Sequence, residues 1–394
     1  MLRLITGGES HGKALVGIIE GVPSNLELNA DYIDNQLFRR QQGYGRGGRM
    51  RIESDKVEIL SGVRHGKTLG SPISLVIYNK DFQNWAEKMS TVGTGKDIEK
   101  ITVPRPGHAD LVGFFKYQFD DVRNVIERAS ARETAMRVAL GAVARKILEQ
   151  LDIRIGSHVL SIGSVGYRDR TELDDIIFKL LKKRNGAEAI SNAADKSEVR
   201  TLDEHIESRI IKEIKKAKKM GDTLGGIFEV IVSGLPIGLG SYVQFDRKLD
   251  GLLSAAIMSI QAIKGVEIGD GFENARRFGS EVHDEILIKR GRIFRPTNHA
   301  GGLEGGVTNG QPLIVRAAMK PISTLMQPLR SIDLVKRREM LARRERSDFC
   351  AVPAASVIAE NVIAPVIVNA LLEKFGGDSI HELKTRYLKE AVFN

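Results

Sequence analysis

Residues 124–150 read NVIERASARETAMRVALGAVARKILEQ, and the fold turns on how this stretch is placed. Val125, Ile126, Ala129, Ala135, Val138, Leu140, Val143, Ile147 and Leu148 leave only short polar arcs around a helical period. The spacing therefore predicts one helix over 124–150, buried rather than laid on a surface. Its first turns carry Arg128, Arg132 and Arg137 with Ser130 and Thr134. Cations at a helix N-terminus oppose the macrodipole unless an anion lies among them, which points to a bound phosphate or carboxylate. The alternative is an internal ion-pair network in which Glu127 and Glu133 neutralise the arginines, and this segment alone leaves both open.

The rest of the chain suits such a centre. With 394 residues and 42% hydrophobic content it can close a substantial core, as one large domain or two to three ordinary ones. No internal repeat, linker or compositional break interrupts it, so one compact domain over residues 1–394 is expected. The net charge of +9 comes without a dense basic tail or interleaved aromatics, which favours small anionic ligands over nucleic acid. A single cysteine, Cys350, excludes an intramolecular disulfide and a cysteine-based metal site; its apolar context predicts packing rather than nucleophilic chemistry. No metal is expected. No apolar run approaches the roughly 18 residues of a membrane helix, and residues 1–7 lead into a glycine motif rather than a signal peptide, so a cytoplasmic protein without a membrane partner is expected.

Toward the N-terminus, residues 2–6 and Ala14–Glu20 have strand character and flank Gly7-Gly8-Glu9-Ser10-His11-Gly12. Glycines on both sides let the backbone turn sharply and bring Ser10 and His11 into a cleft, where a histidine can donate or accept a proton near neutrality. Residues 31–40 predict a helix running into RRQQGYGRGGRMR at 39–51. Arginines spaced by glycines make a loop that folds over anions and excludes water. An RNA-binding loop is the competing reading, weakened because the run is short, solitary and followed by strand-like residues 57–60. Residues 71–78 form another strand, and the excursion after it holds the only tryptophan, Trp85, with residues 90–100 as a surface loop or lid. In TVPRPGHAD, 102–110, two prolines and a glycine present His108 from a fixed backbone, with Asp110 as a cap for the next helix.

Toward the C-terminus, residues 153–162 and 227–233 predict strands, and 172–183 and 203–219 predict amphipathic helices. Lys212, Lys215, Lys216, Lys218 and Lys219 lie on the solvated side of the second helix, opposite Ile206, Ile210 and Ile214. A helix is expected over 249–264, a hairpin over 286–293 turning at Arg290-Gly291, and a strand at 313–319. Between the last two, residues 298–310 hold five glycines, as a close approach to a flat or phosphorylated ligand requires. Lys320-Pro321-Ile322-Ser323-Thr324 offers a cation and two hydroxyls to a phosphate. A basic helix is expected over 333–346, ending at Arg346-Ser347-Asp348, where Asp348 serves as a base or a counter-ion. Residues 357–372 predict a last apolar helix. The order of elements by itself suggests a doubly wound parallel sheet, although the dinucleotide fingerprint G-x-G-x-x-G is missing.

Taken together, these blocks resemble the chorismate synthase family. The likeness runs from GESHG at 8–12 through RASARET at 128–134 to Arg346-Ser347-Asp348, with RRQQGYGRGGRM, PRPGHAD, KGVEIGDGF, NHAGG and KPIST between, over essentially the whole chain. Phe349 departs from the smaller residue or proline of that pattern. The resemblance implies an α/β (α+β) fold, a β-α-β sandwich with a helical layer between two antiparallel sheets, assembled as a homotetramer. It implies anti-1,4-elimination of phosphate from 5-enolpyruvylshikimate 3-phosphate, giving chorismate, with reduced FMN required despite no net redox change. NADPH is a possible source of reductant in the family; the absence of an obvious extra segment leads us to expect an external flavin reductase instead. By the same resemblance His11, His108 and Asp348 are catalytic. Flavin contacts fall on Arg128, Ala129, Ser130, Gln261, Ala262, Gly305, Lys320, Pro321, Ile322, Ser323, Thr324 and Arg346. Substrate or NADP phosphate is held by Ser10, Arg40, Arg46, Arg49 and Arg132.

Two rivals frame that expectation. A polyanion binder using the arginine–glycine loop would show salt-dependent affinity for oligonucleotides and retain no flavin. An ordinary flavin oxidoreductase would consume NADPH continuously.

Overall fold

The computed structural model describes residues 1–47, 54–167, 170–344 and 347–390. The stretch 124–150 is two helices rather than one: Arg123–Ala129 and Thr134–Glu149, joined by a 3-10 turn at Ala131–Glu133. Ser130 breaks the run. Its backbone leaves the helical region at φ −63°, ψ 140°, and its hydroxyl accepts from the Arg132 amide at 3.2 Å, the local bond by which serine competes with helix. The second helix meets the burial expectation, with every residue buried except Arg137, Lys146 and Glu149.

On one side of this helix stands a four-stranded sheet in the order Arg3–Gly7, Ala14–Glu20, Ile73–Tyr78, Glu58–Ile59. Strand Ala14–Glu20 alternates as a half-buried strand must, with Leu15, Gly17 and Ile19 inward. A Cβ on Gly17 would stand 2.5 Å from Met136 Sδ, so sheet and helix meet there. The long helix Val352–Phe375 packs on Thr134–Glu149 and on two strands of a second sheet. That sheet runs Ile263–Ile268, Leu313–Met319, Gly226–Ser233, Arg154–Ile162, Val165–Gly166. Every ladder between these strands is antiparallel, which corrects the doubly wound parallel expectation. The order of helices and strands along the chain does not encode pairing direction.

A buried charge cluster ties the layers. Glu360, in the middle of the long helix, accepts from Arg39 at 2.8 Å, Arg145 at 2.5 Å, Arg200 at 3.2 Å and the hydroxyls of Ser157 and Ser191 at 2.6 Å. Burial opposes its charge, yet the three guanidiniums hold its carboxyl well below the usual range. Arg39 lies in the last turn of the helix Ala30–Gln41, so this cluster also fixes where the adjacent Arg40 emerges.

Three further expectations are corrected. The 249–264 helix stops at Met258, and Ile263–Ile268 is a strand; Ala262, at φ +66°, makes the turn between them. Among the described residues of 333–346 there is no helix. Arg330–Asp333 and Arg338–Leu341 form a hairpin, because Asp333 accepts from the Val335 and Lys336 amides and Arg337 turns left-handed at φ +48°. Val352–Phe375 is long and apolar enough to cross a membrane by composition, contrary to the run-length expectation, but 83% of its apolar window is buried inside the protein. The solvated-lysine reading of Glu204–Met220 holds, with Ile206, Ile210, Ile214 and Ala217 buried.

Candidate active site

The loop between the first two strands carries His11, and the helix Arg123–Ala129 receives it. Glu127 Oε2 accepts from the His11 backbone amide at 2.8 Å and lies 2.9 Å from Nδ1; Ser10 donates its amide to the Glu127 carbonyl at 3.0 Å. The carboxylate is almost fully buried, and burial alone would favour its neutral form. The hydrogen bonds from His11 and the nearby Arg123 outweigh this and hold the Glu127 carboxyl below the usual range. An ionised carboxylate only accepts, so Nδ1 carries the proton and Nε2 is the ring nitrogen left for a ligand. Trp85 stacks on the imidazole at 4.0 Å, with an interplanar angle of 22°.

Asn79 couples this loop to the arginines. Its amide nitrogen donates to the Glu9 and Gly12 carbonyls at 3.1 and 2.7 Å, and its oxygen accepts from Arg132 Nε at 2.9 Å. Arg132 also reaches Asp55 Oδ1 at 2.5 Å; Arg40 lies 3.5 Å from the other Asp55 oxygen and donates to Thr134 Oγ1 and the Ala131 carbonyl. Burial pulls the Arg40 guanidinium down to about 10, with Asp55 opposing and Arg46 and Arg132 adding to the shift. Arg46 in turn faces Asp348 Oδ2 at 3.3 Å, while Oδ1 accepts from the Gly47 amide at 2.6 Å. Among the described residues, three guanidiniums thus gather at two carboxylates in a buried to half-buried group, a setting suited to an anion. Arg49 and Arg346 lie outside the described residues.

His108 is held by the same device. Its Nδ1 lies 2.5 Å from Asp110 Oδ1, and Arg105, which has only donors, contacts both. Burial again opposes the Asp110 charge, and His108 and Arg105 overcome it, holding the carboxyl well below its usual range. Asp110 was expected to cap the following helix; it sits instead at the first residue of Asp110–Lys116 and makes no cap bond. This loop docks on the KPIST segment through Lys320 Nζ to the Gly107 carbonyl, 3.0 Å, and Arg105 to Thr324 Oγ1, 3.1 Å.

The two halves join. Glu133 accepts from Gln261 Nε2 at 2.8 Å, the Ala262 carbonyl from the Lys320 amide at 2.9 Å, the Ile322 carbonyl from Thr223 Oγ1 at 2.7 Å, and the Phe349 carbonyl from the Leu224 amide at 2.9 Å. Chain bonds and these contacts run from Arg132 through Glu133, Gln261, Ala262, Lys320, Ile322, Thr223, Leu224, Phe349 and Asp348 to Arg46; charge rather than contact couples Arg46 to Arg40, which shares Asp55 with Arg132 and closes the circuit. His11 and His108 hang on this circuit. Two features along it suit a planar phosphorylated ligand. Gln261 Oε1 is buried with no hydrogen-bond partner among the described residues. Lys320 stands near Lys264, and burial together with that second cation lowers its pKa, so an anion would relieve it. The glycine-rich run is braced at the other end of the strand pair Ile263–Ile268 and Leu313–Met319: His299 Nδ1 meets Asp270 Oδ2 at 2.7 Å, and Gly305 sits at φ +61° with Tyr242 Cβ, at 3.8 Å, near the place its own Cβ would take.

Of the arginines at the centre, only Arg137 is neutralised as the ion-pair alternative supposed, by Glu133 at 3.7 Å. Arg132 takes Asp55, and Arg128 donates to the Gly8 carbonyl and to Thr6. Asp55, Asn79, Arg105 and the service of Glu127 to His11 escaped the sequence reading. The one available signal was the Arg123/Glu127 pair at helical spacing. Cys350 is buried, its thiol pushed up to about 12 by burial, as its apolar context suggests.

Comparison with known proteins gives concordant matches. The family model described as chorismate synthase matches residues 2–372. The chorismate synthase of Chlorobium phaeovibrioides is 57% identical over 100% of this chain and 98% of its own length. That of Alkaliphilus metalliredigens is 54% identical over 98% of each. A crystal structure of a chorismate synthase superposes with a TM-score of 0.79 at 44% identity, covering 99% of this chain and 97% of the other.

Proposed function

The chain belongs to the chorismate synthase family, and from that premise we propose how its own residues carry the activity. That activity is phosphate elimination from 5-enolpyruvylshikimate 3-phosphate to chorismate in the shikimate pathway, the work of a carbon–oxygen lyase. The family implies a reduced flavin in general; here we take it to be FMNH2, since Lys320, Ser323 and Thr324 offer a phosphate site and Gln261 Oε1 a buried acceptor. When bound, a reduced flavin supplies electron density that eases departure of the phosphate.

The rest falls to side chains. His11 donates the proton on Nε2 to an oxygen of the departing phosphate, and Nδ1 stays on Glu127. Arg132 and Arg46, with Arg40 behind them, offset the negative charge that gathers on the leaving group. His108 holds a proton at Nε2 beside Lys320, with Asp110 fixing its ring. Asp348 accepts a proton at Oδ2, the oxygen facing Arg46. Ala129, Ser130, Ala262, Gly305, Pro321 and Ile322 line the flavin's place, Arg128 frames its edge near the His11 loop, and Ser10 takes part in holding the substrate phosphate.

The circuit of chain bonds, hydrogen bonds and charge coupling that links both imidazoles and the Asp348 carboxylate supports this reading. Its test is an anaerobic assay with photoreduced FMN: chorismate forms without stoichiometric use of reductant, whereas sustained NADPH oxidation would support an oxidoreductase. We further assign the chain to a single β-α-β sandwich domain over residues 1–394, a homotetramer, a cytoplasmic location and an external flavin reductase. The packing of Thr134–Glu149 mainly on the first sheet and of Val352–Phe375 on the second supports the first of these.

A further inference from the structure

Glu127 offers no oxygen of its own to a ligand. Oε2 serves the His11 amide and Nδ1; Oε1 serves Nδ1 at 3.0 Å and Arg123 at 3.4 Å. Both oxygens are used inward, and the residue is 2% exposed. Around it, Arg123 also lies over the Trp85 ring at 5.0 Å, and Trp85 covers the face of the same imidazole. One edge of His11 is therefore gripped by a carboxylate and one face by an indole.

We propose that Glu127 is a positioning residue for the elimination, fixing the Nδ1–H tautomer of His11 so that Nε2 alone meets the departing phosphate. The inference rests on the acid role assigned to His11. When the imidazolium gives up its Nε2 proton to a phosphate oxygen, the neutral ring that remains already has its other proton on Nδ1 and its bond to Glu127 intact. Nothing near the ring has to reorganise as the proton leaves. Without the carboxylate, the neutral ring can hold its proton on either nitrogen and turn about its side chain. Asp110 does the same for His108, so the device occurs twice in one site.

Glu127→Gln tests this, because the amide keeps the shape but sets an NH2 group against a donor, either the His11 amide or Arg123. Turnover is expected to fall on the order of 100-fold, with KM and FMN affinity nearly unchanged and the melting temperature lowered by the buried donor pair. Glu127→Asp, which keeps the charge, should restore part of the loss, and it carries the test should the glutamine variant melt early. The emission of Trp85, the only tryptophan, should shift in Glu127→Gln as the stacked imidazole loosens. The deciding comparison is His11→Ala against His11→Ala/Glu127→Gln. Equal rates mean that Glu127 acts through His11. A further full loss in the double variant, or undiminished turnover in Glu127→Gln beside a slow His11→Ala, would overturn this proposal alone. Wild-type turnover in His11→Ala would instead overturn the acid role, and the proposal with it.

Discussion

Asp348 Oδ1 accepts a 2.6 Å hydrogen bond from the amide of Gly47, which lies 301 residues earlier in the chain. Its other oxygen faces Arg46, so the carboxylate places the end of the arginine–glycine loop and is itself placed by it. The approach is close: a Cβ on Gly47 would stand 3.0 Å from the Ser347 carbonyl oxygen, and that segment would have to give by a few tenths of an ångström.

Asp348→Ala should slow turnover about 10- to 10,000-fold, the range for acid–base groups, and leave flavin affinity nearly intact. His11→Ala should do the same. Single-turnover kinetics with photoreduced FMN checks both, and unchanged turnover removes the residue concerned from the mechanism.

Gln261→Leu removes a buried acceptor that has no partner among the described residues, and the donor to Glu133. FMN affinity should weaken about 5- to 30-fold, the equivalent of losing one or two hydrogen bonds in a dry site. Fluorescence titration with FMN measures it; an unaltered dissociation constant places the flavin elsewhere.

Asp55→Ala leaves Arg40 and Arg132 buried without their shared counter-ion. A loss of about 3–5 kcal/mol is expected in urea denaturation. Removing the exposed Asp120, paired with Lys100, should have no measurable effect, because solvent screens that pair.

Acid should unfold the protein in a defined window. Against the penalty of burial, Arg39, Arg145 and Arg200 hold the Glu360 carboxyl well below its usual range, and His158, Arg170 and Arg316 do so for Glu229. The unfolded chain takes up protons near pH 4.5 where the folded one does not, so this stability is complete above that pH and is lost as pH falls below it. Melting temperatures from pH 7 to 3 should be level to about 5 and then drop; a level profile down to 3 would contradict the buried pairing.

Gly141→Ala would set a Cβ 2.1 Å from the Asn361 carbonyl oxygen, where the two central helices cross. Parting them should destabilise the fold by about 1–3 kcal/mol or more. Gly251→Ala, with nothing within 4 Å in a helix, should stabilise by about 0.4–1 kcal/mol.

Much of this was legible from residues alone. The alternation in Ala14–Glu20, the apolar faces of Thr134–Glu149 and Glu204–Met220, and the hairpin turning at Arg290-Gly291 follow from local period and turn chemistry. His11, His108 and Asp348 stood out because glycine, proline and arginine surround them. The basic run after residue 333 misled, since its charges mimic a solvated helix while Asp333 and Arg337 close a hairpin.

By itself the sequence determined which segments leave water, which loops bend on glycine, and the family to which the chain belongs. Only the tertiary structure decided that Ser130 splits the central run, that the sheets are antiparallel, and that Glu127 holds His11 from 116 residues away. Periodicity records whether a side chain avoids solvent. It carries no information about which distant group a buried charge meets, because that partner is selected by the desolvation cost of the assembled interior.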